Sequence, residues 1–453
     1  MNPPSFRHRM QLFGPSSKAL IVRSATVVLL SCSVLHAFAQ QSRETDLRIQ
    51  FLQSRVSADP DSAIEHNRLG AAYLQKARES GDLAYYDLAE KAVRRSLELE
   101  STHEQAASTF SLLSTVEFSK HNFKEAAEDA ERALKLDPQD LGAAVSAGDA
   151  YAERGEYETA RRYYSQVDSA RRSQRPSVQY LKLTRQATLA LALANPKDAI
   201  PALEQAVDAA QKARLPSENV AWTQFTLGEA YLQNGDFGNA ETALRASLQT
   251  FPGYHRALAG MAQVRVAQRR YKEAISNYQK AIAVIPLPVY VSALGDLYKE
   301  LGNAKEAEKQ YKLVEYIAAL SFLSKNVYNR ELATFYADHE MHQARAVELA
   351  RREFEVRHDL YTQDALAWAL FNNGQKQEAM EAARALESFR LQDPLMLYHL
   401  GMICEGFGER EKSRKYLETA LAINPQFHIF YADHARELLG RPMLKAENSK
   451  AAQ

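Results

Sequence analysis

Few residues in this chain have the types and spacing that chemistry requires, and the strongest candidates are two histidines three positions apart. His339 and His342 would share one face of a helix, and Asp338 lies beside them. Imidazole and carboxylate groups are typical zinc ligands, but a protein zinc site needs three or four of them. The alternative is a helix end at which the histidines face the helix dipole. We therefore predict no metal and no other cofactor.

Two further motifs resemble catalytic or nucleotide-binding sequences but lack the structural setting those motifs need. The segment from Ala144 to Gly148 approximates G-x-S-x-G, in which the serine stands on a strained turn between a strand and a helix. Here Ser146 lies within a helical pattern. The sequence contains no G-x-x-x-x-G-K-[ST] phosphate loop. We predict that the protein is not an enzyme; the alternative is an enzyme or a metal or ligand sensor whose site is assembled across repeats.

Composition sets the broad class of the protein. The 453 residues include 56 Lys and Arg, 56 Asp and Glu, and 46% hydrophobic side chains, as in soluble folded proteins. Nucleic-acid binding is not expected, because phosphate contacts need an excess of basic residues on one surface.

Residues 1–39 have the features of a secretory signal peptide. A basic stretch without acidic residues precedes an apolar run that ends in Ala37-Phe38-Ala39, so we expect cleavage between Ala39 and Gln40. The alternative is a lipoprotein signal in which Cys32 carries the lipid. The apolar run is shorter than the roughly 20 residues of a spanning helix, and no other segment approaches that length. We therefore expect a periplasmic or secreted protein without a transmembrane span in the mature chain.

Repeated motifs with a period of about 34 residues predict the architecture. Leu227-Gly228-x-x-Tyr231 followed by Ala240 corresponds to Leu294-Gly295-x-x-Tyr298 followed by Ala307. A period of this length is typical of a unit of two helices joined by a turn. Ten units can be placed. Their first helices carry Gly70, Ser114, Gly148, Ala187, Gly228, Ala262, Gly295, Ala333, Ala367 and Gly401, and their second helices carry Ala89, Ala126, Ala160, Ala199, Ala240, Ala274, Ala307, Ala346, Ala379 and Ser413.

This pattern resembles the tetratricopeptide repeat family, and the strings at 287–298, 364–370 and 398–403 are similar to an exported bacterial branch of it. The resemblance implies an all-α, right-handed solenoid whose inner groove binds peptides or partner proteins. Because the open ends of a solenoid need a polar cover, we also expect capping helices. The predicted organisation is a signal peptide at 1–39, a capping helix at 40–62, about ten repeats at 63–426, a second capping helix at 427–440 and a flexible tail at 441–453.

The resemblance also implies which side chains face the groove, namely those at places two, five, nine, twelve and thirteen of each unit. Both tryptophans of the chain fall there. Large aromatic side chains are frequent binding hot spots, although packing between units is the alternative. Acidic side chains outnumber basic ones at these places, which favours neutral or basic ligands or indicates a solvated face. The predicted partner-binding residues are Phe118, Trp222, Phe225, Tyr361, Trp368, Phe371, Tyr398 and Met402.

The sequence therefore predicts an exported, non-catalytic scaffold that holds a peptide or protein segment in its concave groove, with assembly of an envelope or secretion complex as one setting. One further repeated string does not contribute to this prediction. Phe-Tyr-Ala-Asp-His occurs at 335–339 and again at 430–434, but the two copies fall at different places in the repeat, so we treat them as unrelated.

Overall fold

The computed structural model describes residues 44–99, 103–169, 174–324 and 329–442. In these ranges the chain forms 22 helices and no β-strand. The helices are α1 (44–58), α2 (Ala63–Ser80), α3 (Ala84–Leu99), α4 (His103–Ser119), α5 (Phe123–Leu136), α6 (Leu141–Glu153), α7 (Tyr157–Asp168), α8 (Pro176–Ala192), α9 (Pro196–Lys212), α10 (Ser217–Gln233), α11 (Phe237–Thr250), α12 (His255–Ala267), α13 (Tyr271–Val284), α14 (Pro288–Glu300), α15 (Ala304–Ser324), α16 (Asn329–Asp338), α17 (Gln343–Val356), α18 (Leu360–Asn372), α19 (Lys376–Leu386), α20 (Pro394–Gly406), α21 (Arg410–Ile423) and α22 (Tyr431–Leu438).

Helices α2 to α21 form ten pairs, which we number as units 1 to 10. The small residues of both predicted rows are buried. In unit 5, a Cβ added to Gly228 would lie only 2.6 Å from Leu244 Cγ on the paired helix. In unit 2, the hydroxyl of Ser114 donates a hydrogen bond to the Ala126 carbonyl, 2.7 Å away. Small side chains thus let the paired helices approach, and the predicted all-α repeat solenoid is confirmed.

Local sequence explains where many helices begin and how the pairs turn. Asp140, Asp359 and Asp393 accept hydrogen bonds from first-turn N–H groups of α6, α18 and α20. Proline opens α8, α9, α14 and α20, where its missing N–H costs nothing. The turn within each unit contains a residue with positive φ, and in six of the ten units that residue is glycine.

Units five apart in the sequence lie in direct contact. The turn of unit 3 packs against the loop that follows unit 8, where a Cβ on Gly155 would lie 2.5 Å from the carbonyl oxygen of His358. Beside it, Arg357 forms an ion pair with Glu153 at 2.6 Å. The Leu360 N–H also donates to the Tyr157 hydroxyl, at 3.0 Å. The superhelix is therefore closed along this seam.

The same separation of five units recurs along the chain, between the turn of one unit and the loop after another. The Ala194 carbonyl of unit 4 accepts a 2.8 Å hydrogen bond from the Gln392 N–H after unit 9. The Leu232 carbonyl of unit 5 accepts one of 2.8 Å from the Asn424 side chain after unit 10. Because each contact repeats the same offset, the ten units wind into about two stacked turns.

The two ends of the described chain differ. At the first end, α1 packs Ile49 and Leu52 against Leu69 and Tyr73 of unit 1. At the other, α22 follows an irregular stretch from Asn424. None of the described helices is both long and apolar enough to cross a membrane. The predicted signal-peptide positions (Ala37, Ala39, Gln40 and the alternative Cys32) and residues 443–453 of the predicted tail lie outside the described ranges.

Candidate functional site

The first helices of neighbouring units pack against each other and so form the inner side of the curve. On α10 of unit 5, four side chains at successive spacings of three, four and four residues share one helical face. We call this set the α10 stripe. It consists of Trp222, Phe225, Glu229 and Gln233.

The aromatic half of the α10 stripe is partly accessible. Trp222 and Phe225 are half-buried and pack against the hydrophobic cluster shared by units 5 and 6. The Phe225 ring meets Tyr254 edge-on, with centroids 6.2 Å apart and an interplanar angle of 85°. Arg256, at the second place of unit 6, is exposed next to this wall. The two rings therefore have a rigid backing and are partly accessible.

The polar half of the α10 stripe carries two acceptors that lack donors. Among the described residues, Glu229 Oε1 and Gln233 Oε1 are buried and have no hydrogen-bond partner. Burial raises the pKa of Glu229 to about 7, although the charge of Arg256 opposes the shift. A buried acceptor without a donor costs about 1–3 kcal/mol. Glu229 Oε1 faces α12, since a Cβ on Gly260 would lie 2.6 Å from it.

The wall behind the α10 stripe is fixed by buried polar pairs. The Tyr254 hydroxyl donates to Glu218 Oε1 at 3.4 Å. Burial, with the nearby charge of Arg256, lowers the pKa of His255 to about 3, so its ring is neutral at ordinary pH. His255 Nδ1 can then accept a hydrogen bond from the Tyr290 hydroxyl, 2.9 Å away. These contacts hold α12 and α14 at a fixed distance beneath the stripe.

The other predicted groove residues make contacts within the chain. Phe118 is half-buried on α4 and packs edge-on against Phe123, at 5.4 Å. The Tyr361 hydroxyl donates to the Leu191 carbonyl at 3.2 Å, across the seam between turns. Phe371 stacks on Trp368 with centroids 5.8 Å apart. None of these three is a freely exposed ring.

In the last two units, Trp368 is only 5% exposed and Tyr398 only 2%. Met402 packs against the same hydrophobic cluster. Residues 424–438 of the same chain cover the two rings. We call these residues the C-terminal segment. In this structure the groove positions of Trp368 and Tyr398 are therefore already occupied by the chain itself.

The two candidate metal ligands point to different carboxylates. His339 Nε2 lies 2.6 Å from Asp296 Oδ1, and His342 Nε2 lies 2.9 Å from Glu315 Oε1. His339 Nδ1 also faces the Phe335 carbonyl at 2.7 Å, so both ring nitrogens face acceptors and the protonated ring fits best. Within the part of the chain that the structure describes, no group of three or more His, Cys, Asp or Glu side chains could hold a metal ion.

Sequence reasoning missed Gln233 and the C-terminal segment. Gln233 stands at the thirteenth place of unit 5, which the repeat frame marks as inward-facing, but a neutral amide carries no signal of binding in the sequence. The C-terminal segment had a signal in the second Phe-Tyr-Ala-Asp-His copy, because Tyr431 of that copy donates a 2.7 Å hydrogen bond to Asp338 of the first. The predicted cap at 427–440 thus reaches into the inner surface.

Ten stacked helix pairs with an inner surface built from first helices define a helical-repeat protein of the solenoid class. Sequence models described as "Tetratricopeptide repeat" match residues 117–183, 180–253, 225–288, 291–319 and 395–427. The chain belongs to the tetratricopeptide repeat family. A comparison with curated proteins finds no match.

Several solved structures are similar to this chain in their run of helices. The Cut9–Hcn1 hetero-tetramer of the APC/C has a chain 14% identical, with 89% of this chain and 94% of that chain covered and a TM-score of 0.33. PilW, a type IV pilus biogenesis factor, is 19% identical, with 47% and 93% covered and a TM-score of 0.40. PilF of Pseudomonas aeruginosa is 18% identical, with 48% and 93% covered and a TM-score of 0.39. At these values the likeness carries no argument about partners.

Proposed function

We propose that this protein is an exported, non-catalytic scaffold that binds a segment of a partner protein along the α10 stripe. The observation that supports it is the pairing, on one helix face, of two partly accessible rings with two acceptor oxygens that lack donors. Rings take apolar side chains, and the acceptors take N–H groups of a backbone or of a lysine. A short protein segment offers both groups at this spacing.

The partner's charge follows from the same face. Glu229 is the acidic member of the stripe, and its pKa of about 7 means that it gains charge when a cation approaches. A partner segment with a basic or neutral side chain next to an apolar one fits this surface best.

The test is a pull-down from an envelope fraction with residues 40–453, followed by mass spectrometry. The double variant Trp222→Ala, Phe225→Ala should lose a partner that the wild type retains, because aromatic hot spots cost roughly 2 kcal/mol or more each when truncated. The matched control is Tyr316→Ala, since Tyr316 is an aromatic residue 61% exposed on α15. Gln233→Ala gives a milder change in case the double variant unfolds. Identical partners for all four proteins would refute the proposal.

Export is the second part of the proposal and rests on residues 1–39. Deleting them should leave the protein in the cytoplasm after cell fractionation, whereas the full chain should reach the periplasm or the medium. Cys32→Ala separates the two kinds of signal, because only a lipoprotein would lose membrane association on this change. Export of the deletion variant would exclude both a secretory signal peptide and a lipoprotein signal at residues 1–39.

A further inference from the structure

The C-terminal segment crosses the inner surface of the last five units. Ile429 packs against the cluster that contains Leu258 and Tyr290 of units 6 and 7. Asp433 forms an ion pair with Arg269 in the turn of unit 6, at 3.6 Å. The segment therefore does more than cover the end of α21, since it lies where a bound ligand would lie.

Four side chains at groove places of units 7 to 10 contact this segment, and we call them the C-terminal slot. Lys299 Nζ lies 5.5 Å from the centroid of the Phe430 ring, a cation–π contact. The other three side chains contact Tyr431, and the Tyr398 hydroxyl also lies 2.7 Å from His434 Nδ1. The slot consists of Lys299, Asp338, Trp368 and Tyr398.

The C-terminal slot is chemically specific for a tyrosine. The Tyr431 ring stacks on Tyr398 with centroids 4.5 Å apart and 14° between planes, and its edge meets Trp368 at 6.0 Å. Its hydroxyl donates to Asp338 Oδ1 at 2.7 Å, the same atom that accepts from Trp368 Nε1 at 2.7 Å. A phenylalanine would fill the space but leave Asp338 with one donor fewer. The stack and the carboxylate together recognise a hydroxyl-bearing ring.

The Trp368 ring of the slot is held in place by side chains outside the segment. His399 stacks on Trp368 with centroids 4.2 Å apart and 12° between planes, and its Nδ1 lies 2.9 Å from Asp364 Oδ2. Both side chains belong to units 9 and 10, so the position of the Trp368 ring does not depend on Tyr431. A slot with its own support can remain formed when its occupant leaves.

The large side chains of the occupant are only partly covered. Phe427, His428, Phe430 and Tyr431 are half-buried, whereas Trp368 and Tyr398 of the slot are buried, and the residues of α22 buried against the slot's cluster are the small Ala432 and Ala435. The helix that follows, α22, has only eight residues, and Leu438 on it is 44% exposed. A short helix after an irregular stretch has little stability of its own and depends on these contacts.

We propose that the C-terminal slot is a second peptide-binding site, which takes a protein segment with adjacent aromatic residues ending in tyrosine, and that the C-terminal segment occupies it as an intramolecular competitor. This rests on the proposed scaffold function but concerns a different surface from the α10 stripe. A partner with a matching aromatic-tyrosine segment displaces residues 427–438 and binds in the slot, while Asn424 stays bonded to Leu232 of unit 5.

The first test measures release of the C-terminal segment by hydrogen exchange in residues 40–453. Tyr431→Ala should speed exchange in 427–438 by about tenfold, with units 1 to 5 unchanged because Asn424 keeps its hydrogen bond to the Leu232 carbonyl. Leu438→Ala, an exposed apolar residue of the same helix, should leave it unchanged. Tyr431→Phe, which removes only the hydroxyl, should act in the same direction with a smaller change. If exchange rises in units 8 to 10 as much as in the segment, the segment is part of the core and the proposal fails.

The second test asks whether the slot binds the sequence in trans. A labelled synthetic peptide of residues 424–440 should bind Tyr431→Ala about a hundredfold more tightly than wild type, whose own segment competes at high effective concentration. The same peptide with alanine in place of tyrosine should bind neither protein. Equal binding to wild type and variant, or no binding to a variant whose segment is released, would overturn the proposal. The α10 stripe takes no part, so adding Trp222→Ala to Tyr431→Ala should leave the affinity for the peptide unchanged.

Discussion

The closure of the superhelix can be tested with two glycines that differ in only one respect. Gly155 and Gly374 occupy equivalent turns, in units 3 and 9, with φ of 75° and 78°. A Cβ on Gly155 would lie 2.5 Å from the His358 carbonyl oxygen, whereas nothing lies within 4 Å of one on Gly374. Alanine at either position pays the same backbone cost of about 1–2 kcal/mol for a left-handed conformation. Only Gly155→Ala also meets the loop after unit 8.

The additional cost of Gly155→Ala can be worked out from the seam. Forcing a methyl group against backbone costs about 1–3 kcal/mol. If the loop moves away instead, the Leu360 to Tyr157 hydrogen bond is lost, at a net cost of about 1 kcal/mol. Gly155→Ala should therefore lose about 2–5 kcal/mol in total, against about 1–2 kcal/mol for Gly374→Ala.

The assay is urea unfolding followed by circular dichroism, combined with hydrogen exchange at the Leu360 amide. The second readout is needed because long repeat arrays can unfold in parts, so that a single midpoint need not report the seam. Exchange at Leu360 should rise in Gly155→Ala and stay at the wild-type rate in Gly374→Ala. Equal losses of stability in both variants, with Leu360 still protected, would refute the five-unit contact.

Three other predictions concern stability. Gly228→Leu should destabilise unit 5 by about 3 kcal/mol by overpacking against Leu244, and an unchanged melting temperature would contradict the helix contact. Glu229 binds its proton more tightly in the folded chain, where its pKa is about 7 against an ordinary 4.5. The free energy of unfolding should therefore fall by about 3 kcal/mol as pH rises from 4.5 to 7. In urea titrations, Glu229→Gln should abolish this fall. Burial opposes protonation of His339, but Asp296 outweighs it and raises the pKa above 6.5. The ion pair of protonated His339 with Asp296 therefore stabilises the fold fully below pH 6.5, and this stabilisation is lost as pH rises through the raised pKa. The melting temperature of the wild type should decline above pH 6.5, and that of His339→Phe should decline less.

The fold could be predicted because its determinants are local. Each helix pair needs two small residues about twelve positions apart, and this spacing is visible in the chain at Gly228 and Ala240 as at Gly401 and Ser413. In unit 1 the spacing is longer, since Gly70 and Ala89 stand 19 positions apart, which is compatible with longer helices or with a loop. The structure has longer helices, since α2 runs to Ser80 and α3 begins at Ala84.

The candidate site could be predicted only in part. The repeat frame places Trp222 and Phe225 on the inner face, because position in a unit fixes the direction of a side chain. The repeat frame does not distinguish these accessible rings from the buried Trp368, because Trp368 also stands at an inward-facing position of its unit. Which of these rings is covered depends on where the C-terminal segment runs, and that path is not part of the repeat.

The sequence alone determined the unit, that is, two helices joined by a turn with small residues between them, because those contacts join residues a few turns of helix apart. Only the tertiary structure decided how far each unit rotates relative to the last. That small rotation, added over five units, brings Glu153 to Arg357, 204 residues further along the chain. The same accumulated rotation places the inner surfaces of units 6 to 10 within reach of residues 424–438. The repeat period in the sequence does not show this accumulated rotation. Closure of the superhelix and occupation of the C-terminal slot therefore appear only when all ten units are packed together.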